Sequence, residues 1–218
     1  MRINKYIAQN TGLSRRAVDT MIDEGSVTVN GAVAVRGHEV NESDQVAVNG
    51  KLVSSQPSLT ILVNKPIGYV CSKNGQGSKT IYELLPKKYQ HLKTVGRLDK
   101  DSSGLILLTS DGNLAHELTH PSKVKLKRYE IALDRPLEPL HQQIIQEPGV
   151  LLEDGLSKLK LTKINADGLD WEVVMHEGRN RQIRRTFESL GYIVSRLHRT
   201  NFGNYQLGEI KPGQIKEV

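Results

Sequence analysis

Residues 96–112 read GRLDKDSSGLILLTSDG, and this stretch contributes most to the prediction of the fold. Asp99 stands just before the turn-forming residues 101–104, and the apolar run 105–108 follows at once. An apolar run of this length between turn formers predicts a buried β-strand. Catalytic side chains are often held on short loops braced by a rigid strand, so Asp99 is a candidate catalytic residue. The same sequence also fits an aspartate that only caps a turn.

The composition is that of a soluble, basic protein with a net charge of +6. Residues 1–58 hold six basic and six acidic side chains, so residues 59–218 carry the whole excess. A basic patch within a folded domain suits a polyanionic partner, although a solvated charged surface explains it equally well. Cys71 is the only cysteine, which excludes a disulfide framework and a cysteine-based metal site. No apolar run approaches the roughly 18 residues that cross a bilayer, and no secretory signal is evident, so we expect a cytoplasmic protein.

The first 50 residues predict a helix–helix–hairpin unit. Ser14 is a favourable N-cap for a helix over residues 15–24, and the period then switches to two at Val27 and Val29. Asn30-Gly31 is a typical hairpin turn. Residues 53–58 are small, polar and aperiodic, which predicts a linker. We therefore expect a small unit over residues 1–52, a linker at 53–58 and a larger domain over 59–218.

The larger domain is predicted to be α+β with a substantial sheet. Helices are expected near residues 113–119 and 182–190 and a short one after Thr80, which starts a capping box. The strands are expected at residues 59–63, 105–108, 129–133 and 169–175.

A second motif, HEGRNRQIRR at residues 176–185, places four arginines within seven residues. Two of them fall in the first turn of the predicted helix, where a cation opposes the helix dipole at a cost of about 0.3 kcal/mol or more. A fold that accepts this cost indicates a use for the charge, such as a phosphate backbone or a buried carboxylate. A solvated surface explains Arg179 and Arg181 as well, but it explains Arg184 poorly because Ile183 beside it must face the core.

A third cluster, KVKLKRYE at residues 123–130, alternates lysine with apolar residues. In an extended chain Lys123, Lys125 and Lys127 lie on one face, which suits contact with a phosphate backbone. Tyr129 ends this row and offers an aromatic face for stacking a base, although a tyrosine in a strand is more simply explained as core. The histidines show no metal-ligand spacing, and there is no nucleotide-binding loop or nucleophile elbow.

Taken together, these motifs resemble the RsuA-type ribosomal RNA pseudouridine synthases, and the likeness covers essentially the whole chain in order. The first 50 residues resemble the small RNA-binding module named after ribosomal small-subunit protein four. The residues that carry the rest of the resemblance are Asn64–Pro66 with Gly68, Gly96–Asp99, Ser103–Leu105, Lys127–Tyr129, Glu177–Arg185, and Arg196–Leu197 with Arg199.

The resemblance implies a pseudouridine synthase fold, with a mainly antiparallel sheet flanked by helices. It also implies an isomerase that detaches the base of a specific uridine in ribosomal RNA, rotates it and rejoins it through carbon five. No cofactor and no metal is implied. Asp99 matches the essential carboxylate, which acts either as a nucleophile on the sugar or as a proton acceptor. Arg184 matches the arginine that pairs with it, and Tyr129 the aromatic residue that stacks on the target base.

By the same resemblance, Arg97 enters the space that the extruded nucleotide leaves. Extrusion of a base from its stack costs on the order of a few kcal/mol. Ile183 and Leu197 are expected to form an apolar floor. The expected RNA contacts are Arg15, Arg16, Lys65, Lys123, Lys125, Lys127, Arg179, Asn180, Arg181, Gln182 and Arg185.

We therefore expect a monomer that acts on ribosomal RNA without an obligate protein partner or a membrane. The RNRQIRR sequence and the segment 120–122 favour large-subunit over small-subunit RNA as the target. Two other classes remain open at this point: a non-catalytic RNA-binding ribosome-assembly factor, and a metal-dependent nuclease that uses Asp99 and Asp101.

Overall fold

The computed structural model describes residues 1–120 and 122–218, so Pro121 in the segment 120–122 lies outside the described residues. The first 52 residues form two helices and four strands. Their bounds are α1 Ile3–Thr11, α2 Arg15–Asp23, β1 Val27–Val29, β2 Ala32–Val33, β3 Val46–Val48 and β4 Lys51–Leu52. The strands pair antiparallel in the order β2-β1-β3-β4, and the helices pack on this small sheet.

The local signals in this part of the chain act as predicted. The Ser14 hydroxyl accepts a hydrogen bond from the Ala17 backbone amide at 3.0 Å and so caps α2. Val18 and Ile22 on the apolar face of α2 are buried. Asn30 and Gly31 both have positive φ, as the predicted hairpin turn between β1 and β2 requires.

The described residues after Leu52 form one large sheet, a separate hairpin and three α-helices. The bounds are β5 Thr60–Lys65, β6 Lys93–Val95, β7 Ser103–Thr109, α3 Gly112–Thr119, β8 Lys127–Leu133, α4 Pro139–Gln146, β9 Val150–Leu152, β10 Gly155–Ser157, β11 Lys160–Lys163, β12 Asp170–Met175, α5 Gln182–Glu188, β13 Val194–Phe202, β14 Tyr205–Gln206 and β15 Ile215–Glu217. Two 3-10 helices, Ile81–Leu84 and Lys87–Tyr89, lie between β5 and β6, and the first has the predicted Thr80–Glu83 capping box.

The large sheet has the strand order β11-β12-β8-β13-β7-β5-β15, with β14 beside β13 and β6 beside β7. Its pairings are antiparallel except for β13 with β7, which confirms the expected mainly antiparallel sheet. Helices α4 and α5 contribute to the core on one face of the sheet, and α3 packs on the other. None of the helices among residues 1–120 and 122–218 has the length and apolar character to cross a membrane.

The lysine-rich segment before β8 differs from the prediction. The strand begins only at Lys127, so Lys123 and Lys125 do not share a strand face with it. The reason lies in the neighbouring strands, because the partners β12 and β13 both reach their last paired position opposite Lys127. Without a partner strand, Lys123 is held in a turn by a hydrogen bond from its amide to the His120 carbonyl.

The first 52 residues contact the larger part of the chain through polar groups. Lys5 Nζ donates to Asn113 Oδ1 on α3 at 2.6 Å, and Lys93 Nζ donates to the Leu13 carbonyl at 3.1 Å. The Tyr6 hydroxyl donates to the Val53 carbonyl at the start of the 53–58 segment.

Gly104 sets the spacing of the central strands. It lies in β7 with φ +103°, directly opposite Arg199 of β13. A Cβ atom at this position would lie 2.3 Å from the Arg199 carbonyl oxygen and 2.6 Å from its amide nitrogen. Only glycine therefore lets the two backbones approach this closely in this conformation.

We predict that Gly104→Ala lowers the free energy of unfolding by about 2–5 kcal/mol, because it adds backbone strain and a backbone clash at once. Chemical denaturation measures the loss. Gly112→Ala is the matched control, since φ is not positive at Gly112 and nothing lies within 4 Å of its added Cβ. The control is expected to be neutral or slightly stabilising; equal effects at the two glycines would contradict this account of the sheet.

Candidate active site

The loop that carries Asp99 is fixed through its backbone carbonyls. The Asp99 carbonyl accepts from the Ser102 amide at 3.1 Å and closes the turn, and the Lys100 carbonyl accepts from the Gly68 amide at 2.7 Å. The next two carbonyls accept from side chains, Asp101 from Arg184 Nη2 at 2.8 Å and Ser102 from Lys65 Nζ at 2.6 Å. Four consecutive carbonyls thus have a donor, which restricts the position of the Asp99 carboxylate.

Lys65 lies beneath this loop at the end of β5 and is fully buried, with 0% exposure. Its ammonium also donates to the Pro66 carbonyl at 3.0 Å. Burial lowers the pKa of Lys65, and the nearby Cys71 and the two loop aspartates oppose that effect. The expected RNA contact at Lys65 is therefore corrected, because its side chain is fully buried beneath the loop and does not line the cavity.

The arginine beside Asp99 is not the expected one. Arg181 Nη1 lies 3.6 Å from Asp99 Oδ2, and the same guanidinium donates to both carboxylate oxygens of Asp101 at 3.0 Å. Arg181 is the N-cap of α5 and has φ +46°, a left-handed conformation that is uncommon for a residue other than glycine. This sharp bend directs its side chain toward the Asp99 loop.

Arg184, the expected partner of Asp99, pairs with Asp101 instead, its Nε lying 3.3 Å from Oδ2. The guanidinium is directed behind the loop because Nη1 donates to the Val194 carbonyl on β13 while Nη2 holds the Asp101 carbonyl. Burial lowers the pKa of Arg184, whereas the hydrogen bond to Asp101 raises that of Arg181. Arg184 thus supports the loop without lining the cavity.

A cavity of about 400 Å³ opens beside Asp99. This volume is within the range of ligand sites, roughly 300–1,000 Å³. Of the residues expected at the site, the cavity brings together Arg97, Asp99, Lys127, Tyr129, Arg179, Asn180, Arg181, Gln182, Ile183 and Leu197. The Asp99 side chain is 34% exposed and Tyr129 is 8% exposed, so a carboxylate and a mostly buried tyrosine line one space.

Three residues expected to contact RNA are instead engaged within the protein. Arg179 and Arg185 both pair with Asp154 beside the β9–β10 hairpin, at 2.8 and 2.7 Å. The Gln182 amide is buried and donates to Ser157 Oγ and to the Glu177 carboxylate. These contacts fix the start of α5 to the hairpin, and the RNA contacts expected of these side chains stay predictions.

A second, larger cleft adjoins the cavity. Its volume is about 960 Å³, and it shares with the cavity a wall formed by Leu118, Thr119, Lys127, Met175, Gly178 and Arg179. Lys123 and Lys125 line this cleft, as do Lys158 and Lys160, which the sequence did not single out. Lys125 pairs with Glu117 at 2.8 Å, an ion pair at the surface that solvent screens. Arg15 and Arg16 lie elsewhere, exposed on α2.

Sequence reasoning assigned no site role to two further cavity residues, Arg199 and Phe202. Arg199 follows Leu197 by two positions on β13, so the strand period places both on one face, which is the signal that identifies it. Phe202 reaches the cavity only because β13 has a bulge between Arg199 and Asn201.

The arrangement of acidic groups does not resemble a metal site. Asp101, which would join Asp99 in a metal-dependent nuclease, is held by two guanidinium groups. In the part of the chain that the structure describes, no group of three or more histidine, cysteine, aspartate and glutamate side chains is arranged to hold a metal ion.

The Asp101 pairing predicts a pH dependence of stability. The hydrogen bond from Arg181 lowers the pKa of Asp101 below its ordinary value of 3.8. The pKa of Asp101 is thus lower in the folded than in the unfolded state. The ionised carboxylate therefore adds to the free energy of unfolding above about pH 4, and this stabilisation is lost as the pH falls through the folded-state pKa. We predict that Asp101→Asn removes part of the loss of unfolding free energy between about pH 5 and pH 3. Asp167→Asn, at an exposed carboxylate that accepts only from a backbone amide, is the control; identical slopes for both variants would contradict the prediction.

Two family models match this chain, one in each of its two parts. Residues 59–189 match the family model described as RNA pseudouridylate synthase, and residues 1–46 match the S4 domain. A solved structure described as a pseudouridylate synthase superposes with a TM-score of 0.70 at 30% identity, covering 100% of this chain and 96% of that chain.

Among curated relatives, ribosomal large subunit pseudouridine synthase B of Xylella fastidiosa is 38% identical over 231 residues, covering 100% of this chain and 48% of that protein. The chain thus spans about half the length of this relative. The protein of the same name from Bacillus subtilis is 34% identical over 230 residues, covering 100% of this chain and 91% of that protein. The matched family model and the similarity to the Bacillus protein over most of both lengths show that this chain belongs to the RNA pseudouridylate synthase family.

Proposed function

We propose that this chain converts uridine to pseudouridine in ribosomal RNA and that Asp99 is the catalytic carboxylate. The observation that carries the proposal is the cavity in which the Asp99 carboxylate, on an immobilised loop, faces Tyr129 and a basic wall. Such a cavity suits a nucleotide that has left its stack, because the base needs an aromatic or apolar surface and the backbone needs cations.

The chemistry requires one carboxylate and a closed space for the free base. The bond between N1 and the sugar breaks, the base rotates, and C5 forms the new bond to the same sugar carbon while N1 gains a proton and C5 loses one. This isomerisation neither adds nor removes atoms, so it needs no cofactor. Asp99 acts either by attack on the sugar carbon or by removal of a sugar proton, and both roles require the ionised carboxylate. Arg181, 3.6 Å away, places a positive charge beside it.

The other cavity residues have roles that follow from their surfaces. Tyr129 stacks on the target base, and Ile183 and Leu197 exclude water beneath it. Arg97, exposed at the rim, enters the gap that the extruded nucleotide leaves in the RNA. Arg184 acts on the reaction through the loop, because it holds the Asp101 carbonyl and does not line the cavity.

The RNA path runs along the larger cleft. Lys123, Lys125 and Lys127 bind phosphates there, and these contacts set the position of the strand without reading its sequence. Residues 1–52 act as a separate RNA-binding module, joined by residues 53–58 to the catalytic domain over residues 59–218. Arg15 and Arg16, exposed on α2, bind a neighbouring RNA helix. One chain supplies every part of this site, so we propose a monomer that needs no protein partner and acts in the cytoplasm.

Large-subunit ribosomal RNA is the proposed target. Two observations support it, the names of the relatives from Xylella fastidiosa and Bacillus subtilis and the RNRQIRR sequence at residues 179–185. Incubation of the protein with large-subunit and small-subunit ribosomal RNA transcripts, followed by mapping of pseudouridine, tests the choice. Pseudouridine confined to the small-subunit transcript would contradict it.

We predict that Asp99→Asn abolishes pseudouridine formation, with a loss of at least about a thousandfold in kcat, while RNA affinity stays within about twofold. The reason is that the amide is neither a nucleophile nor a base, yet it has nearly the same size. Nucleoside chromatography of digested RNA measures the product, and filter binding measures affinity. Asp167→Asn is the control and is expected to retain full activity.

A wild-type protein that binds ribosomal RNA and forms no pseudouridine would favour the alternative, a non-catalytic ribosome-assembly factor. Activity in Asp99→Asn near that of the wild type would show that another residue supplies the carboxylate.

We predict that Lys65→Met lowers kcat by roughly tenfold to a hundredfold and leaves RNA affinity unchanged, because the buried ammonium positions the Asp99 loop through the Ser102 carbonyl. Steady-state kinetics separates kcat from KM, and thermal unfolding checks that the variant folds. Lys87→Met, at an exposed lysine that does not line the cavity, is the control. A rise in KM with unchanged kcat would instead indicate that Lys65 contacts RNA.

A further inference from the structure

Arg199 is the most deeply buried arginine side chain that lines the cavity, with 3% exposure. It lies on β13 between Tyr129 of β8 and Gly104 of β7. Its Nε donates to the Leu105 carbonyl at 2.8 Å, and its guanidinium lies 4.8 Å from the centre of the Phe202 ring. Nη2 is buried and has no hydrogen-bond partner among the described residues.

Lys127 is the second cation at this place. Its Nζ lies 5.6 Å from the centre of the same Phe202 ring and donates to the Glu177 carbonyl at 3.0 Å. Burial lowers the pKa of Lys127 and the positive charge of Arg199 lowers it further, whereas the Glu177 carboxylate, which forms no ion pair with Lys127, opposes the shift. Within residues 1–120 and 122–218, neither Arg199 nor Lys127 forms an ion pair with a carboxylate, whereas Arg179, Arg181, Arg184 and Arg185 all do.

Two neighbouring cations without a carboxylate are costly inside a protein. A buried charge without a partner loses its hydration, and a buried donor without an acceptor also loses the hydrogen bond that it would make in water. The other buried or partly buried arginines of this region do have carboxylate partners. Asp101 pairs with Arg181 and Arg184, and Asp154 pairs with Arg179 and Arg185. Among the described residues, Arg199 and Lys127 are thus left without the carboxylate partner that these arginines have.

We propose that Arg199 and Lys127 together bind a phosphate group of the RNA backbone at the uridine that enters the cavity. The proposal rests on the proposed function, because it assigns the bound phosphate to the substrate RNA. A phosphate matches the site better than a uracil carbonyl does. A phosphate supplies the negatively charged partner that Arg199 and Lys127 lack. Its oxygens can accept hydrogen bonds from the guanidinium and from the ammonium at the same time.

The position of Lys127 agrees with this assignment. It lines both the larger cleft and the Asp99 cavity, so it stands where an RNA strand passes from one to the other. A phosphate held at this junction fixes the point at which the backbone turns inward. The sugar of the everted nucleotide then lies between that phosphate and the Asp99 carboxylate.

The first test compares uridine 5′-monophosphate with uridine as probes, using titration calorimetry and the arginine Nε–Hε signals in NMR spectra. The wild type is expected to bind the monophosphate at least about tenfold more tightly than uridine, with inorganic phosphate as a competitor. The preference is expected to fall to about twofold or less in Arg199→Gln and in Lys127→Met. Arg196→Gln is the matched control, because Arg196 lies on the same strand, is paired with Asp170 at 2.9 Å and does not line the cavity. It is expected to retain the preference.

Equal binding of the two probes by the wild type, or an unchanged preference in both variants, would overturn the proposal. A loss of affinity for uridine equal to that for the monophosphate would also overturn it, since it would place the guanidinium on the base. If Arg199→Gln does not fold, as judged by thermal unfolding, Lys127→Met and Arg199→Lys decide the question.

The second test uses ribosomal RNA transcripts. Removal of one phosphate contact is expected to reduce the slope of log K against log salt by about 0.7–0.9, the value per contact for nucleic acids, in Arg199→Gln but not in Arg196→Gln. An unchanged slope in Arg199→Gln and Lys127→Met would contradict the phosphate contact. The two proposals can fail separately. A wild-type protein that forms no pseudouridine but prefers the monophosphate to uridine would contradict the proposed function and still support the phosphate site.

Discussion

The site depends on the pairing of strand β13 with a different neighbour on each side. On one side β13 pairs antiparallel with β8, which carries Tyr129, and on the other it pairs parallel with β7, which follows the Asp99 loop. Because Gly104 has no side chain, the backbones of β7 and β13 approach closely at Arg199. This single contact brings a loop from the middle of the chain and two strands from its second half around one cavity.

The charges around the cavity are divided between support and binding. Asp101 and Asp154 each engage two guanidinium groups and so fix the loop, the start of α5 and the β9–β10 hairpin. Asp99 faces the cavity with one guanidinium at 3.6 Å and a third of its side chain exposed. Rigid support around one exposed carboxylate is the arrangement that favours preorganisation, because little has to move when the substrate arrives.

Much of the fold was predictable because its signals are local. The Ser14 cap, the Asn30-Gly31 turn, the apolar run of β7 and the alternation in β8 depend on residues a few positions apart, and the structure has each of them. The length of β8 was not predictable in this way. The alternating lysines look like strand, but a strand needs partners, and β12 and β13 provide none before Lys127.

Local sequence patterns were enough to predict a carboxylate on a braced loop before a buried strand, an arginine-rich segment at the start of a late helix, and Tyr129 within a strand. Tertiary structure alone decided which charges meet. It directed Arg184 to Asp101 and Arg181 to Asp99, buried Lys65 under the loop, and left Arg199 without a carboxylate. The physical reason is that periodicity assigns a side chain to a face, whereas its partner across the fold depends on strand register and backbone bends, such as the left-handed residue at Arg181, that no local pattern encodes.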